Sequence, residues 1–187
     1  MNFENYDTGV ILFKPRRFWD ERGFFGEVYS RKVYSDLGLS IEFVQANHSL
    51  SIAPGTLRGL HFQAPPKAQA KLVSCGRGKI FDVIVDIRRG SPTYGQWRGF
   101  DLSFENGYQL FVPIGFAHGF VTLEPNSEIV YQCSDYYCPL SEGSVSWCDR
   151  DLGIEWPKVG ELTINIKDRK ALPLKSIDSP FLYGVNS

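Results

Sequence analysis

The sequence predicts an all-β protein, a sandwich or barrel of short strands. Three observations carry this. Apolar residues alternate with period two along most of the chain. Turn-forming residues interrupt the alternating runs at intervals of roughly 8 to 14 residues. No long stretch of helical periodicity lies between them.

In order, residues 10–13 form a compact apolar run, and residues 23–29 alternate aromatic with small or charged side chains. Residues 31–37 lack that alternation and end at Gly38, so they read as a short helix. Residues 41–47 resume the strand pattern. Pro54-Gly55 makes a turn, and the run Gly55-Thr-Leu-Arg58-Gly-Leu-His61-Phe-Gln63 follows. Residues 71–75, 79–86, 99–103, 109–112, 119–123 and 128–133 complete the set, divided by the glycines at 76 and 78, Ser91-Pro92, Asn106-Gly107 and Pro125-Asn126. After Trp156-Pro157 the chain turns polar, and a tail from about residue 158 to 187 should lie over the body. No repeat or linker divides the chain, so residues 1–187 form one domain.

Composition narrows the function. The chain has 187 residues, 43% hydrophobic and 14% aromatic, with a net charge of −1. That balance gives no reason to expect nucleic acid or an anionic membrane as a partner. Four cysteines without CxxC spacing suggest free thiols in a reducing cytoplasm. The first nine residues show no signal peptide, and no apolar run reaches the roughly 20 residues that span a bilayer.

Chemistry concentrates around His61, one of only three histidines. On a strand, Leu60 and Phe62 would face one side and His61 the other. Arg58, His61 and Gln63 within an apolar strand need a wet cavity, because burying them unpaired is costly. A cavity with histidine and arginine is a binding or catalytic site. Histidine can also take and return a proton near neutral pH.

A second motif, Gly107-Tyr-Gln-Leu-Phe-Val-Pro113-Ile-Gly115-Phe-Ala-His118, is similar to the second signature of the cupin jelly roll, a double-stranded β-helix. His118 would point into the barrel. In the first signature Gly55 and His61 keep their spacing, but Gln63 replaces the second histidine and no glutamate follows before Gly76. Two histidines and a glutamine make a poor transition-metal site, so neither a metal nor another cofactor is expected.

Six motifs in order resemble the dTDP-4-dehydrorhamnose 3,5-epimerase family: Arg58-Gly-Leu-His61-Phe-Gln63, Lys71-Leu-Val, Phe81-Asp-Val-Ile-Val-Asp86-Ile-Arg, Ser91-Pro-Thr-Tyr-Gly-Gln-Trp97, Pro113-Ile-Gly-Phe-Ala-His118-Gly-Phe and Gly153-Ile-Glu-Trp-Pro157. The resemblance implies a metal-free, cupin-like jelly roll with short peripheral helices. It also implies a homodimer acting on a dTDP-4-keto-6-deoxyhexose. The C–H bonds at C3 and C5 of such a sugar are acidified by the C4 ketone. Inverting each needs a base, an acid on the opposite face, and stabilisation of the enolate oxygen. His61 is the obvious base. The resemblance makes Asp168 its carboxylate partner, Tyr131 the acid and Lys71 the charge beside the enolate. Alone, Lys71 reads as a solvated strand lysine and Asp168 as a surface carboxylate.

A diphosphate calls for arginine and lysine. Arg58 would meet it three residues from the base. Gln45, Asn47, Gln63 and Lys167 match polar family positions around the ligand, and Tyr137 would pack beside nucleotide or sugar. Residues 20–27 resemble a strand that crosses to the partner subunit, where Arg22 would reach the diphosphate and Phe25 and Glu27 would hold the thymine. His118 would touch the sugar or act through a neighbour, Asp82 would support the cavity histidines, and His48 would be structural. The alternatives are a mono-epimerase acting at C3 only or C5 only, and a non-catalytic nucleotide-sugar binder. The latter would be expected to lack the base, its carboxylate or the acid, all of which this chain keeps.

Overall fold

A computed structural model describes residues 2–184. Met1 and residues 185–187, the ends of the expected domain and tail, lie outside the described residues. The strands are β1 (Asn2–Asn5), β2 (Ile11–Lys14), β3 (Phe18–Asp20), β4 (Gly23–Phe25), β5 (Gln45–Ser51), β6 (Thr56–Gln63), β7 (Lys71–Arg77), β8 (Lys79–Asp86), β9 (Trp97–Ser103), β10 (Gln109–Val112), β11 (Phe116–Thr122), β12 (Ser127–Cys133), β13 (Glu142–Ser144) and β14 (Thr163–Ile164). Two short helices are α1 (Arg31–Asp36) and α2 (Ile166–Arg169).

Two sheets face each other in a jelly roll. One has the order β1-β2-β10-β7-β12-β5. The other has the order β13-β6-β11-β8-β9, with β14 added parallel to β6. Strand alternation sorts the apolar residues into three layers. Val10, Leu12, Val73, Ile80, Ile84, Leu102, Leu110 and Ile129 fill the space between the sheets. Ile11, Phe13, Leu72 and Phe111 turn outward under α1, against Tyr34 and Leu39. Leu60, Phe62, Val83, Val85 and Ala117 turn outward from the second sheet, where Leu152, Leu174 and Phe181 cover them. Leu60 and Phe62 thus share a face, as alternation requires.

Some boundaries differ from the sequence reading. The strand expected over 23–29 stops at Phe25 and pairs only with β3, in a hairpin outside both main sheets. The strand expected over 41–47 begins at Gln45, because Ile41 and Phe43 pack into the layer beneath α1 instead. α1 matches its expected span, with Ser30 capping its start and Gly38 at φ +90° beyond its end. The tail does more than cover the body, since it supplies β14, α2 and two apolar plugs, Leu174 and Phe181. All four cysteines are free thiols. No described helix is long and apolar enough to cross a membrane.

Candidate active site

Strict alternation would send Arg58 and His61 to opposite faces of β6, since they are three apart. The ladder with β11 shows why they share one. His61 pairs with His118 and Arg58 with Phe120, so two residues on β6, Gly59 and Leu60, oppose Gly119 alone on β11. This bulge adds one residue and re-aims the side chain beyond it. Gly59 occupies it at φ +125°, and a Cβ there would stand 2.5 Å from the Cα of Gly119. Only glycine combines that backbone with that approach. Arg58 and His61 therefore line one cavity, together with Ser49, Lys71, His118, Phe120, Ile129, Tyr131 and Asn165.

The tail delivers the carboxylate. β14 runs beside the start of β6 and is followed directly by Asn165, which caps α2 by accepting the Asp168 N–H at 2.7 Å. That turn drives the Asp168 side chain inward, where it is fully enclosed. Oδ1 meets His61 Nε2 at 2.6 Å, while Oδ2 accepts the Gly59 N–H at 3.0 Å and the Asn165 amide at 3.3 Å. Burial pushes the carboxyl pKa up, but these hydrogen bonds outweigh it and leave the group below the usual aspartate value. A carboxylate on Nε2 favours a proton there and leaves Nδ1 as the basic nitrogen.

Lys71 is half-buried on the cavity wall rather than fully solvated. Burial pulls its ammonium below the usual lysine range, and Cys133, Asp82 and Glu142 oppose that only through space. Tyr131 lies two residues from Cys133 on β12, both facing inward, and burial raises its phenol pKa. The hydroxyl therefore keeps its proton at neutral pH. His118 is held from behind by buried Asp82, with Nε2 at 2.8 and 3.0 Å from its two oxygens. Asp82 is thus the support that sequence reasoning expected. His48 lies outside, paired with Glu128 at 3.2 Å.

A second void shares His61, Lys71 and Tyr131 with the first and adds Gln45, Asn47, Gln63, Gln69, Cys133, Tyr137 and Glu142. The two measure about 640 and 700 Å³, open mouths included. Polar groups are linked around the second. The Tyr137 N–H donates to Gln45 Oε1 at 2.9 Å, Gln45 Nε2 donates to Asn47 Oδ1 at 3.0 Å, and the Tyr137 hydroxyl donates to Glu142 at 3.0 Å. Lys167 pairs with the same glutamate at 2.5 Å. Gln63 is different. Its amide donates to the carbonyls of Lys67 and Tyr136, and its oxygen accepts the Cys138 N–H at 2.8 Å. Those bonds make it a brace for the loop that carries Tyr137. Among the described residues no three His, Cys, Asp or Glu side chains gather as metal ligands.

Arg22, Phe25 and Glu27 do not line either void. They stand on or beside the β3–β4 hairpin, all exposed, with Arg22 bonded to Asp20 at 2.6 Å. Sequence reasoning missed Ser49, Asn165 and Glu142. Extending the alternation of Gln45 and Asn47 by one step finds Ser49. Asn165, three residues before Asp168, carries a helix-cap signal. Nothing local marks Glu142, which reaches the rim because β13 pairs with β6 beside Gln63.

Comparison with known proteins identifies the family. The sequence profile of the dTDP-4-dehydrorhamnose 3,5-epimerase family matches residues 7–176. The Salmonella typhimurium enzyme of that name is 51% identical over 163 residues, covering 87% of this chain and 88% of its own. A dTDP-6-deoxy-D-glucose-3,5-epimerase from Legionella pneumophila, solved with dTDP-4-keto-L-rhamnose, superposes with a TM-score of 0.92 at 44% identity. It covers 100% of this chain and 99% of its own. A 3'-monoepimerase from Streptomyces bikiniensis, solved with dTDP-quinovose, reaches 0.83 at 32% identity over 94% of this chain and 86% of its own. On its matched length, its identity to these relatives and its shared fold, the chain belongs to the dTDP-4-dehydrorhamnose 3,5-epimerase family.

Proposed function

We propose that this protein inverts C3 and C5 of dTDP-4-dehydro-6-deoxy-D-glucose, giving dTDP-4-dehydro-L-rhamnose. The observation that carries the reading is the His61–Asp168 pair in one cavity with Lys71 and Tyr131. His61 Nδ1 removes the proton next to the ketone, and Asp168 stabilises the imidazolium that results. Lys71 sits beside the enolate oxygen; its partly desolvated charge acts strongly there and is not spent on a paired carboxylate. Tyr131 returns a proton to the opposite face, and its raised pKa ensures that it has one to give.

The twin void suits a bipartite ligand. The sugar occupies the part lined by His118, and the nucleotide lies towards Gln45, Asn47, Tyr137 and Lys167. Arg58 is braced by Ser51 and the Leu50 carbonyl at 3.3 to 3.5 Å and stands where the diphosphate passes. Arg22, Phe25 and Glu27 complete the site from a second subunit. The exposed Phe18, Trp19 and Phe25 of the hairpin and Leu50 and Ile52 near the open edge strand β5 support a homodimer with exchanged arms. The protein works in the cytoplasm, where free thiols persist.

Nuclear magnetic resonance of the product tests the reaction. Inversion at both carbons supports the proposal, while inversion at one alone makes the protein a mono-epimerase like its Streptomyces neighbour. Mixing Arg22→Ala and His61→Ala subunits tests the exchange, because one site of each heterodimer carries neither lesion. No rescue despite proven subunit exchange would remove Arg22 from the partner's site.

A further inference from the structure

The β3–β4 hairpin belongs to neither main sheet. Two strands alone are marginally stable in water, so its direction must be fixed elsewhere. Its register pairs Trp19 with Phe24 and Phe18 with Phe25, giving two faces. The Trp19 and Phe24 rings lie 5.0 Å apart. Phe24 also meets Phe104, from the turn after β9, at 5.8 Å.

Arg17 joins the two. Its guanidinium carbon is 4.2 Å from the centre of the Phe24 ring and 5.1 Å from that of Phe104. Its Nη1 donates to the Glu105 carbonyl at 3.0 Å. The flat group lies over Gly107, where a Cβ would come within 2.8 Å of it. That glycine has φ +61°. The planar, delocalised guanidinium can lie flat against a ring while it donates in its own plane, a geometry that a tetrahedral ammonium does not share. The clamp stands apart from the voids around His61.

We infer that Arg17, packed against both Phe24 and Phe104 over Gly107, is a positioning residue that sets how the hairpin leaves its own subunit. Fixing Phe24 on the inner face fixes Phe25 on the outer one, and with it the approach of Arg22 and Glu27 to the nucleotide. This inference rests on the reading that the arm serves the partner's site. Arg17 touches neither the sugar nor the reacting atoms, so its loss acts on binding rather than on proton transfer.

The test uses the full-length enzyme and dTDP-4-keto-6-deoxyglucose. Arg17→Ala and Phe104→Leu should each raise KM about tenfold and leave kcat within about twofold. Phe104→Tyr, which keeps the ring, should hold KM near that of the parent. Amide hydrogen exchange over residues 18–25 should quicken in Arg17→Ala and stay unchanged in Phe104→Tyr. Arg22→Ala provides the reference by raising KM itself. If Arg22→Ala raises KM while Arg17→Ala and Phe104→Leu leave both KM and hairpin exchange unaltered, the clamp is overturned and the arm reading stands. If Arg22→Ala leaves KM unchanged, the arm reading fails and the positioning role fails with it. A fall in kcat without a rise in KM would also overturn the inference, because it would place Arg17 in the chemistry or the general fold.

Discussion

Replacing Asp168 by asparagine keeps the volume and removes the charge. The carboxylate serves His61 Nε2 through Oδ1, and the Gly59 N–H and the Asn165 amide through Oδ2. An amide cannot serve both sides equally. With its oxygen towards Gly59 and Asn165, its NH₂ faces Nε2 and puts the imidazole proton on Nδ1, where the base must be free. Turned round, its NH₂ meets two donors and leaves a buried group unsatisfied, at a cost of about 1–3 kcal/mol. The favoured orientation is therefore the one with the wrong tautomer. Restoring the right one costs about that amount, and the lost charge-assisted bond to imidazolium costs a further 1.5–3 kcal/mol or so. Together these give about 3–6 kcal/mol, or roughly a 10²- to 10⁴-fold fall in kcat. Stopped-time nuclear magnetic resonance of substrate proton exchange measures it, with circular dichroism as the check on folding. A folded Asp168→Asn variant within about fivefold of the parent kcat would show that this carboxylate neither sets the His61 tautomer nor stabilises its imidazolium.

Tyr131→Phe removes the proposed proton donor without opening a cavity, so solvent exchange at the substrate carbons should persist while inverted product fails to accumulate; full epimerase activity would reassign the acid. Lys71→Met removes a partly buried ammonium that has no close carboxylate, and should abolish activity while raising the melting temperature by about 2–4 °C, the equivalent of roughly 1 kcal/mol at this size. A drop in melting temperature would show that Lys71 stabilises the fold. Asp86 behaves like Asp168: burial pushes its pKa up, but bonds from Arg88, Ser91 and Thr93 leave it lowered. Both carboxylates bind protons more weakly folded than unfolded, so their stabilisation is complete above the unfolded aspartate value of about 3.9 and is lost as pH falls through the lower folded values. Urea midpoints measured in that window should fall with pH, and the slope should flatten in Asp86→Asn; an unaltered slope would exclude the linkage.

Much of this was legible because alternation is local. The runs at 79–86 and 109–112 coincide with β8 and β10, since a strand buried between two layers tolerates only one phase. His61 stood out for the same reason, as a titratable group in apolar alternation. The common face of Arg58 and His61 was not legible, because it depends on a bulge that forms only when Gly119 approaches Gly59. Asp168 lies 107 residues from His61, and only the family resemblance joined them. Lys71 and Asp168 read locally as exposed charges because burial by a distant segment leaves no mark on their own neighbours. Gln63 was expected beside the ligand; it lines the second void, but its amide bonds the backbone at Lys67, Tyr136 and Cys138, and nothing in its own neighbourhood foretells that loop.

The proposed removal of protons next to the C4 ketone by His61 is open to a direct measurement: incubating dTDP-4-keto-6-deoxyglucose with the protein in deuterated water and reading deuterium at each ring carbon. Incorporation is expected at C3 and C5 with the native enzyme and at neither with a folded His61→Ala variant that still binds dTDP. Deuterium at near-native rates in that variant would contradict that role for His61.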